Sequence, residues 1–156
     1  MGINRRGIST RMGWHIVNNK DVAKWVAEKT TGLYSDNSPA LGLLKDGQLI
    51  CGVSYDHWNG RSIFANMVVE GRMSPAFVAA IFDYAFNVCN AEKIIVSVVS
   101  NNERSIRLAK KMGFIEEARI KNADPNGDFV FMTLAKDQCK FLEHRYGKRI
   151  FRSFLH

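Results

Sequence analysis

The pattern of hydrophobic and polar positions predicts several strands in the first half of the chain. Short apolar runs separated by turn residues predict three strands, over residues 41–45, 48–55 and 61–69. Asp46 and Gly47 form the Asp-Gly pair that is typical of a two-residue hairpin between the first two of them. Before these strands, apolar residues at helical spacing predict a short amphipathic helix over residues 21–29.

Two helices are predicted in the second half of the chain. Ser74 and Pro75 begin the first, as an N-cap followed by proline at the first helical position. Its buried face consists of Phe77, Val78, Ile81, Phe82, Ala85 and Phe86. The second helix begins at a cap formed by Ser100 or Asn102 and ends at Gly113.

Between these helices the apolar run IIVSVV predicts a strand over Lys93–Val99 that is buried on both faces. A strand, a helix and a strand at this spacing imply a crossover, and therefore parallel pairing between residues 61–69 and 93–99. Residues 114–121 and 128–134 predict an antiparallel pair at the end of the chain. The expected fold class is therefore α/β (α+β), with a mixed sheet and one central crossover.

The composition indicates one ordinary domain spanning residues 1–156, with 46% hydrophobic residues to form its core. No apolar run approaches the ~20 residues that a membrane-spanning helix needs. The N-terminal segment lacks the apolar region of a secretory signal, so we expect a cytoplasmic protein without a membrane partner. Three scattered cysteines show no metal-binding spacing, which predicts free thiols and no metal site.

The net charge of +7 is concentrated at the two ends of the chain. Residues 1–13 form a predicted basic arm, and residues 136–156 a predicted basic helix or tail. Their cations include Arg5, Arg6, Arg11, Arg145, Lys148, Arg149 and Arg152. In the C-terminal segment the cations alternate with Tyr146, Ile150, Phe151 and Phe154. These ends are either solvated tails or contacts for an acidic partner such as nucleic acid.

Two strand-to-helix junctions, expected at the same edge of the sheet, predict a pocket for a phosphate-bearing ligand. Helix N-termini present unpaired amides and partial positive charge. Gly71 would permit close backbone approach, and Arg72 would add a cation. The second helix contributes Arg104, Arg107, Lys110 and Lys111. The alternative is structural throughout: Gly71 permits a turn, Asn102 caps a helix, and the cations cover an exposed face.

A specific succession of short motifs runs through the second half of the chain. It consists of Asp83-Tyr84-Ala85-Phe86, the strand Lys93–Val99, Asn102-Glu103-Arg104-Ser105-Ile106, Lys111-Met112-Gly113-Phe114 and Ile115-Glu116-Glu117-Ala118-Arg119. A Gly-Asp hairpin follows them. From Phe82 to Leu134 this succession resembles the acyl-CoA N-acyltransferase superfamily, called GNAT. Within that superfamily it is most similar to the branch of ribosomal-protein N-terminal acetyltransferases.

The resemblance implies a mostly antiparallel sheet whose central parallel strands splay around acetyl-CoA. The backbone of residues 67–69 would pair with the pantetheine arm, and the amides of residues 71–74 would hold the pyrophosphate. Asn102, Ser105 and Arg107 would contact the rest of the cofactor. The cofactor-binding residues implied in this way are Val68, Val69, Gly71, Arg72, Met73, Ser74, Asn102, Ser105 and Arg107.

Two positions depart from the family pattern. The phosphate loop of the family reads approximately Arg-x-x-Gly-x-Gly/Ala, whereas this chain has Glu70-Gly71-Arg72-Met73-Ser74-Pro75-Ala76. Many members also carry a tyrosine on the second helix that reprotonates the departing thiolate, and Ala109 occupies the matching position here. The usual general acid is therefore absent.

An attacking amine must lose a proton, so a base is needed within reach. Asp56, His57 and Glu70 are the candidates, and we single out Glu70 and His57 as the candidate catalytic residues. No cysteine is placed as an acyl carrier, so direct attack in a ternary complex is expected. The acceptor is an amine on a protein or small molecule, such as a protein N-terminus or a lysine.

One alternative function is a catalytically weak GNAT-like binding module whose basic ends contact nucleic acid or a protein. Another is an acetyltransferase whose acceptor is itself bound to RNA. On any of these interpretations the expected assembly is a monomer or homodimer.

Overall fold

The computed structural model describes residues 2–3, 9–10, 13–30 and 37–142. Near the N-terminus, β1 (Gly2–Ile3) and β2 (Ser9–Thr10) form a short antiparallel pair. The predicted cations Arg5, Arg6 and Arg11 and the whole segment 143–156 lie outside the described residues. Contact between the basic ends and nucleic acid therefore stays a prediction.

Seven strands form the main sheet, in the order β3-β4-β5-β6-β7-β9-β8. They are β3 (Trp14–Val17), β4 (Ala40–Lys45), β5 (Gln48–Asp56), β6 (Ser62–Val69), β7 (Lys93–Val99), β8 (Ile115–Asp124) and β9 (Gly127–Ala135). Every neighbouring pair is antiparallel except β6 and β7, which are parallel. The predicted fold class, a mixed and mostly antiparallel sheet with one central parallel pair, is confirmed. The edge strand β3 was not predicted.

The parallel strands β6 and β7 pair at only three positions, Ser62 with Lys93, Ile63 with Ile94 and Phe64 with Ile95. Each strand nevertheless keeps its outer neighbour to its end, because β6 pairs with β5 up to Val69 and β7 pairs with β9 up to Val99. The two strands therefore diverge beyond Phe64 and Ile95. We call this gap the β6–β7 split.

The expectation that Lys93–Val99 is buried on both faces was wrong. Only Ile94 is fully buried, Ser97 is exposed, and the other residues of β7 are half-buried. The reason is the split: where β7 loses its contact with β6, the end of the strand borders a cavity instead of a neighbouring strand.

Within the described part of the chain, three α-helices flank the sheet: α1 (Lys20–Lys29), α2 (Pro75–Asp83) and α3 (Glu103–Lys111). Side-chain oxygens of Asn19, Ser74 and Asn102 cap their first turns, a contact worth about 1 kcal/mol each. A π-helical turn (Tyr84–Val88) continues α2.

The helices contribute to two separate cores. Val22, Ala23 and Val26 of α1 form a small core with Ala40, separate from the larger core that includes α2. Because side chains alternate across a strand, these two cores lie on opposite faces of the sheet.

The beginning of the predicted C-terminal tail packs onto the larger core. After a short 3₁₀ turn (Lys136–Gln138), Cys139 and Leu142 are buried, and the ring of Phe141 stacks on Phe82 at 5.2 Å between centroids.

All three cysteines are free thiols. Among the described residues, no helix is long and apolar enough to cross a membrane.

Candidate active site

A cavity of about 530 Å³ opens where β6 and β7 diverge. The free ends of the two strands form its walls, over residues 65–70 and 96–99. The face of α3 that carries Ser105, Leu108, Ala109 and Met112 closes one side. Lys29 and Thr30, at the end of α1, reach the same cavity. The cavity therefore combines two strand edges, a helix face and the end of a helix from the opposite side of the sheet.

The strand edges inside the split are unusual because their backbone groups lack a strand partner. Beyond Phe64 and Ile95, β6 and β7 no longer pair with each other. Backbone N–H and C=O groups require a hydrogen-bond partner, which water or an extended ligand can supply. Val68 and Val69, both predicted cofactor-binding residues, lie on this edge and line the cavity.

The beginning of α3 brings two more predicted residues to the cavity, Asn102 and Ser105. Oδ1 of Asn102 accepts a hydrogen bond of 3.2 Å from the amide of Ser105, so the asparagine is the N-cap. The cap orients Asn102 at the mouth of the split and fixes the direction in which α3 leaves β7. The structural interpretation of Asn102 thus holds, and it is compatible with a ligand contact through Nδ2.

The family resemblance implied a cofactor contact for Arg107 and not for Arg104, and the structure distinguishes these two arginines of α3. Arg104 lines the cavity, whereas Arg107 lies outside it, 68% exposed, with Nη1 3.9 Å from a carboxylate oxygen of Glu103. Positions two apart on a helix do not face the same way, and Arg107 is two residues from Ser105. Helical spacing could have found Arg104, because it is four residues before Leu108 of the lining face.

The loop before α2 lies outside the cavity lining, although four of its residues were predicted to bind the cofactor: Gly71, Arg72, Met73 and Ser74. Ser74 is fully buried, its Oγ accepts from the amide of Phe77, and its carbonyl accepts from the amide of Val78. Pro75 contributes no amide. The first turn of α2 therefore offers few donors to an anion, and the phosphate role of this loop stays a prediction.

Gly71 has a packing role that the sequence did not reveal. A Cβ atom at this position would lie 3.0 Å from Cδ1 and 3.1 Å from Cβ of Ile50. The glycine does not have a positive φ. Close contact with β5 therefore accounts for glycine here.

Glu70 follows β6 directly and lines the cavity. Its Oε2 lies 2.7 Å from Nζ of Lys29, and both side chains are partly exposed, at 47% and 39%. The ammonium of Lys29 also lies 5.2 Å from the centre of the Trp25 ring. A carboxylate of the cavity thus already holds a primary ammonium group. The sequence could not indicate this pair, because it depends on how α1 docks on the sheet.

His57 was the second predicted catalytic residue, and it lies outside the cavity lining. Its Nδ1 is 2.6 Å from Oδ1 of Asp56, and its side chain is 72% exposed. Asp56 in turn accepts a hydrogen bond from Asn66, which does line the cavity. Of the two predicted catalytic residues, the structure brings only Glu70 to the cavity.

Cys51 and Ala109 bear on the chemistry that the cavity can perform. Cys51 is buried beneath the Gly71 loop, and burial raises the pKa of its thiol. A buried protonated thiol is a poor acyl carrier. Ala109 lies in the cavity wall and supplies no hydroxyl there, as its position in the sequence indicated.

Several solved structures share this fold. A spermidine/spermine N-acetyltransferase from Vibrio cholerae superposes with a TM-score of 0.66 at 16% identity, covering 84% of this chain and 98% of that one. The protein yncA from Salmonella typhimurium, solved with its cofactor acetyl-CoA, gives a TM-score of 0.61 at 17% identity, covering 79% and 94% of the two chains. No curated protein matches the sequence significantly.

The resemblance seen in the sequence is confirmed at the level of the family. The family model described as an acetyltransferase (GNAT) domain matches residues 15–131, which includes β6, β7, α3 and every residue of the predicted site. The narrower resemblance to the ribosomal-protein branch is not supported, because similar solved structures include spermidine/spermine N-acetyltransferases instead. The chain belongs to the GNAT acetyltransferase family of enzymes.

Proposed function

We propose that the enzyme transfers an acetyl group from acetyl-CoA to a primary alkylamine, by direct attack in a ternary complex. The observation that carries the proposal is the β6–β7 split. Its cavity joins an unpaired strand edge at Val68 and Val69 to a carboxylate, Glu70, that already holds an alkylammonium group. The unpaired strand edge suits an amide-bearing cofactor arm, and the carboxylate of Glu70 suits an amine acceptor.

The residues around the split fit acetyl-CoA. The pantetheine arm is an extended chain with two amides, and the free edges of β6 and β7 offer it backbone donors and acceptors. Arg104 and the beginning of α3 place positive charge at the cavity for phosphates. We also propose that acetyl-CoA contacts the amides of residues 71–74 and the side chains of Ser105 and Arg107. When bound, acetyl-CoA supplies the activated acetyl thioester.

Glu70 is the proposed general base. It lines the cavity and accepts a hydrogen bond from a primary ammonium in this structure, which is the contact that an acceptor needs before it loses a proton. The buried thiol of Cys51 offers no covalent route, so the amine attacks directly. Because Ala109 provides no hydroxyl, we propose that water, rather than a side chain at this position, reprotonates the leaving thiolate.

Two classes of acceptor carry a primary alkylamine: polyamines and lysine side chains. The Vibrio cholerae structures are polyamine acetyltransferases, whereas the sequence suggested a protein N-terminus or a lysine. A test compares the release of CoA thiol with spermidine, with a lysine peptide blocked at its N-terminus, and with a peptide that has only a free N-terminus. Turnover of the first two but not the third supports an alkylamine acceptor.

Arg104→Gln and Arg107→Gln are matched variants for the cofactor site. We expect Arg104→Gln to weaken acetyl-CoA binding by ~1–3 kcal/mol, the range for a charge-assisted contact, and Arg107→Gln to weaken it less. If wild-type protein binds acetyl-CoA but turns over none of the three acceptors, the alternative of a binding module gains support instead. The expected assembly as a monomer or homodimer remains a prediction. The expected contact between the basic ends and nucleic acid also remains a prediction.

A further inference from the structure

Two lysine–glutamate pairs of nearly identical geometry occupy very different places. Nζ of Lys29 lies 2.7 Å from Glu70, and Nζ of Lys93 lies 2.7 Å from Glu117. Both lysine side chains are 39% exposed, and the carboxylates are 47% and 45% exposed. Only the first pair lines the cavity of the β6–β7 split. The second pair is therefore a control supplied by the chain itself.

We propose that Lys29 is an acetyl acceptor and that the enzyme acetylates its own Lys29 side chain. The inference rests on the proposed function, because it requires acetyl-CoA in the split. Lys29 presents a primary amine inside the cavity, held by the same carboxylate that is proposed to deprotonate acceptors. Lys20, at the other end of α1, is exposed and lies outside the cavity lining.

The reaction balances with acetyl-CoA as the only co-reactant. Glu70 takes one proton from the Lys29 ammonium and passes it to water. The nitrogen lone pair then forms a bond to the thioester carbonyl carbon while the carbon–sulfur bond breaks. The second proton goes from nitrogen to the departing thiolate through water. The products are a neutral N-acetyl-lysine and CoA with a free thiol.

Acetylation would change the acceptor site as well as Lys29. A neutral amide cannot form an ion pair with Glu70, and it loses the cation contact with the Trp25 ring. The carboxylate would then be open to the ammonium group of an external amine. Self-acetylation at Lys29 is therefore expected to increase the affinity of the cavity for amine acceptors.

The experiment compares the rates of acetylation at Lys29 and Lys93 by peptide mass spectrometry. Full-length protein is incubated with acetyl-CoA without acceptor, and separately with an amine-selective acetylating reagent that needs no cofactor site. With acetyl-CoA we expect Lys29 to react about tenfold or more faster than Lys93, because a bound reactant raises its effective concentration. With the reagent we expect the two lysines to react at similar rates, since their exposure and their ion-pair distances match.

Glu70→Gln and Glu117→Gln complete the design. Glu70→Gln should slow Lys29 acetylation by acetyl-CoA on the order of 10²-fold, the lower range for loss of a general base, and Glu117→Gln should not. In cofactor-free protein, Lys29→Gln, which imitates the acetylated side chain, should bind 1,4-diaminobutane more tightly than wild type. Unchanged diamine affinity would overturn the proposed effect on the acceptor site.

The outcomes separate this inference from the proposed function. If CoA thiol is released with external amines while Lys29 and Lys93 react equally with acetyl-CoA, self-acetylation is refuted and the proposed function stands. If the protein neither binds acetyl-CoA nor releases thiol with any amine, the proposed function fails and the inference fails with it.

Discussion

Nδ2 of Asn66 donates a hydrogen bond of 2.9 Å to Oδ2 of Asp56, and this contact joins the wall of the cavity to a histidine outside it. Oδ1 of the same aspartate lies 2.6 Å from Nδ1 of His57. His57 is therefore connected to the cavity through two intervening side chains, whereas Glu70 lines the cavity directly. The geometry favours Glu70 as the base.

Substitution separates these two candidates. Glu70→Gln keeps the size of the side chain and removes its basicity, so we expect kcat to fall by ~10²–10⁴, the usual contribution of a general base. His57→Gln should leave kcat nearly unchanged, because the exposed ring does not line the cavity. Steady-state kinetics with spermidine measure both. A larger loss in His57→Gln than in Glu70→Gln would reverse the assignment.

Ala109 offers a test by gain of function. Its position in the cavity wall matches the place where many family members carry a tyrosine, so Ala109→Tyr should restore a general acid. We expect its kcat to exceed that of Ala109→Phe by up to about 10²-fold, the scale of general acid catalysis. Phenylalanine controls for the volume that either ring removes from the cavity. Equal rates for the two variants would show that protonation of the thiolate does not limit the enzyme.

Gly71 is expected to matter for stability more than for cofactor affinity. Ala at this position places its Cβ against Ile50, and overpacking of this kind costs ~1–3 kcal/mol. Ile50→Ala removes the nearest atom, Cδ1, so the two substitutions together should cost less than their sum. Urea denaturation of wild type, the two single variants and the double variant measures this coupling. Loss of acetyl-CoA affinity in Gly71→Ala without loss of stability would instead place the pyrophosphate at this residue.

The carboxylate of Asp128, on β9, accepts hydrogen bonds from Asn122 and Arg119 of β8, so we expect its contribution to stability to depend on pH. Its backbone amide donates a hydrogen bond of 2.9 Å to Oγ of Ser100, next to the beginning of α3. The hydrogen bond from the amide of Asn122, and then the guanidinium of Arg119, lower the pKa of its carboxyl. A lowered folded pKa means that the stabilisation is present above the unfolded pKa of about 3.9 and is lost as the pH falls through the folded value.

Asp128→Asn should therefore be less stable than wild type near neutral pH. The difference between the two urea midpoints should shrink as the pH falls below the unfolded pKa of about 3.9 and the wild-type carboxyl takes up its proton. Val130→Ala, at a buried apolar position on the same strand, serves as a control whose effect on stability should not depend on pH. A difference between wild type and Asp128→Asn that stays constant with pH would contradict the assigned role.

Local signals in the sequence were sufficient for most elements of the fold. The Asp46-Gly47 hairpin, the Ser74-Pro75 helix start and the Gly113 helix end are each determined by a few neighbouring residues. The strand β3 was missed because only four residues form it and its pairing with β4 is distant in sequence. The π-helical turn after α2 has no local pattern that would distinguish it from a continuing α-helix.

The site was less accessible to sequence reasoning than the fold. Asn102 and Ser105 were predicted because a motif of the family resemblance contains them, and the structure places both in the cavity lining. Val68 and Val69 lie before these motifs and were predicted from the strand-to-helix junction, and they too line the cavity. Lys29 and Asn66 could not, because each reaches the site through contacts between elements far apart in the chain. Arg107 was predicted to bind the cofactor and Arg104 was not, although helical spacing places Arg104 on the same face of α3 as Leu108, which lines the cavity.

The central claim is that acetyl-CoA binds along the free edges of β6 and β7. Residue-resolved amide hydrogen exchange, with and without acetyl-CoA, tests it most directly. We predict slower exchange within residues 65–69 and 96–99, at amides that face the split, and no change at Ser62–Phe64, where β6 already pairs with β7. Acetyl-CoA binding that leaves the amides of residues 65–69 and 96–99 unprotected would contradict the account.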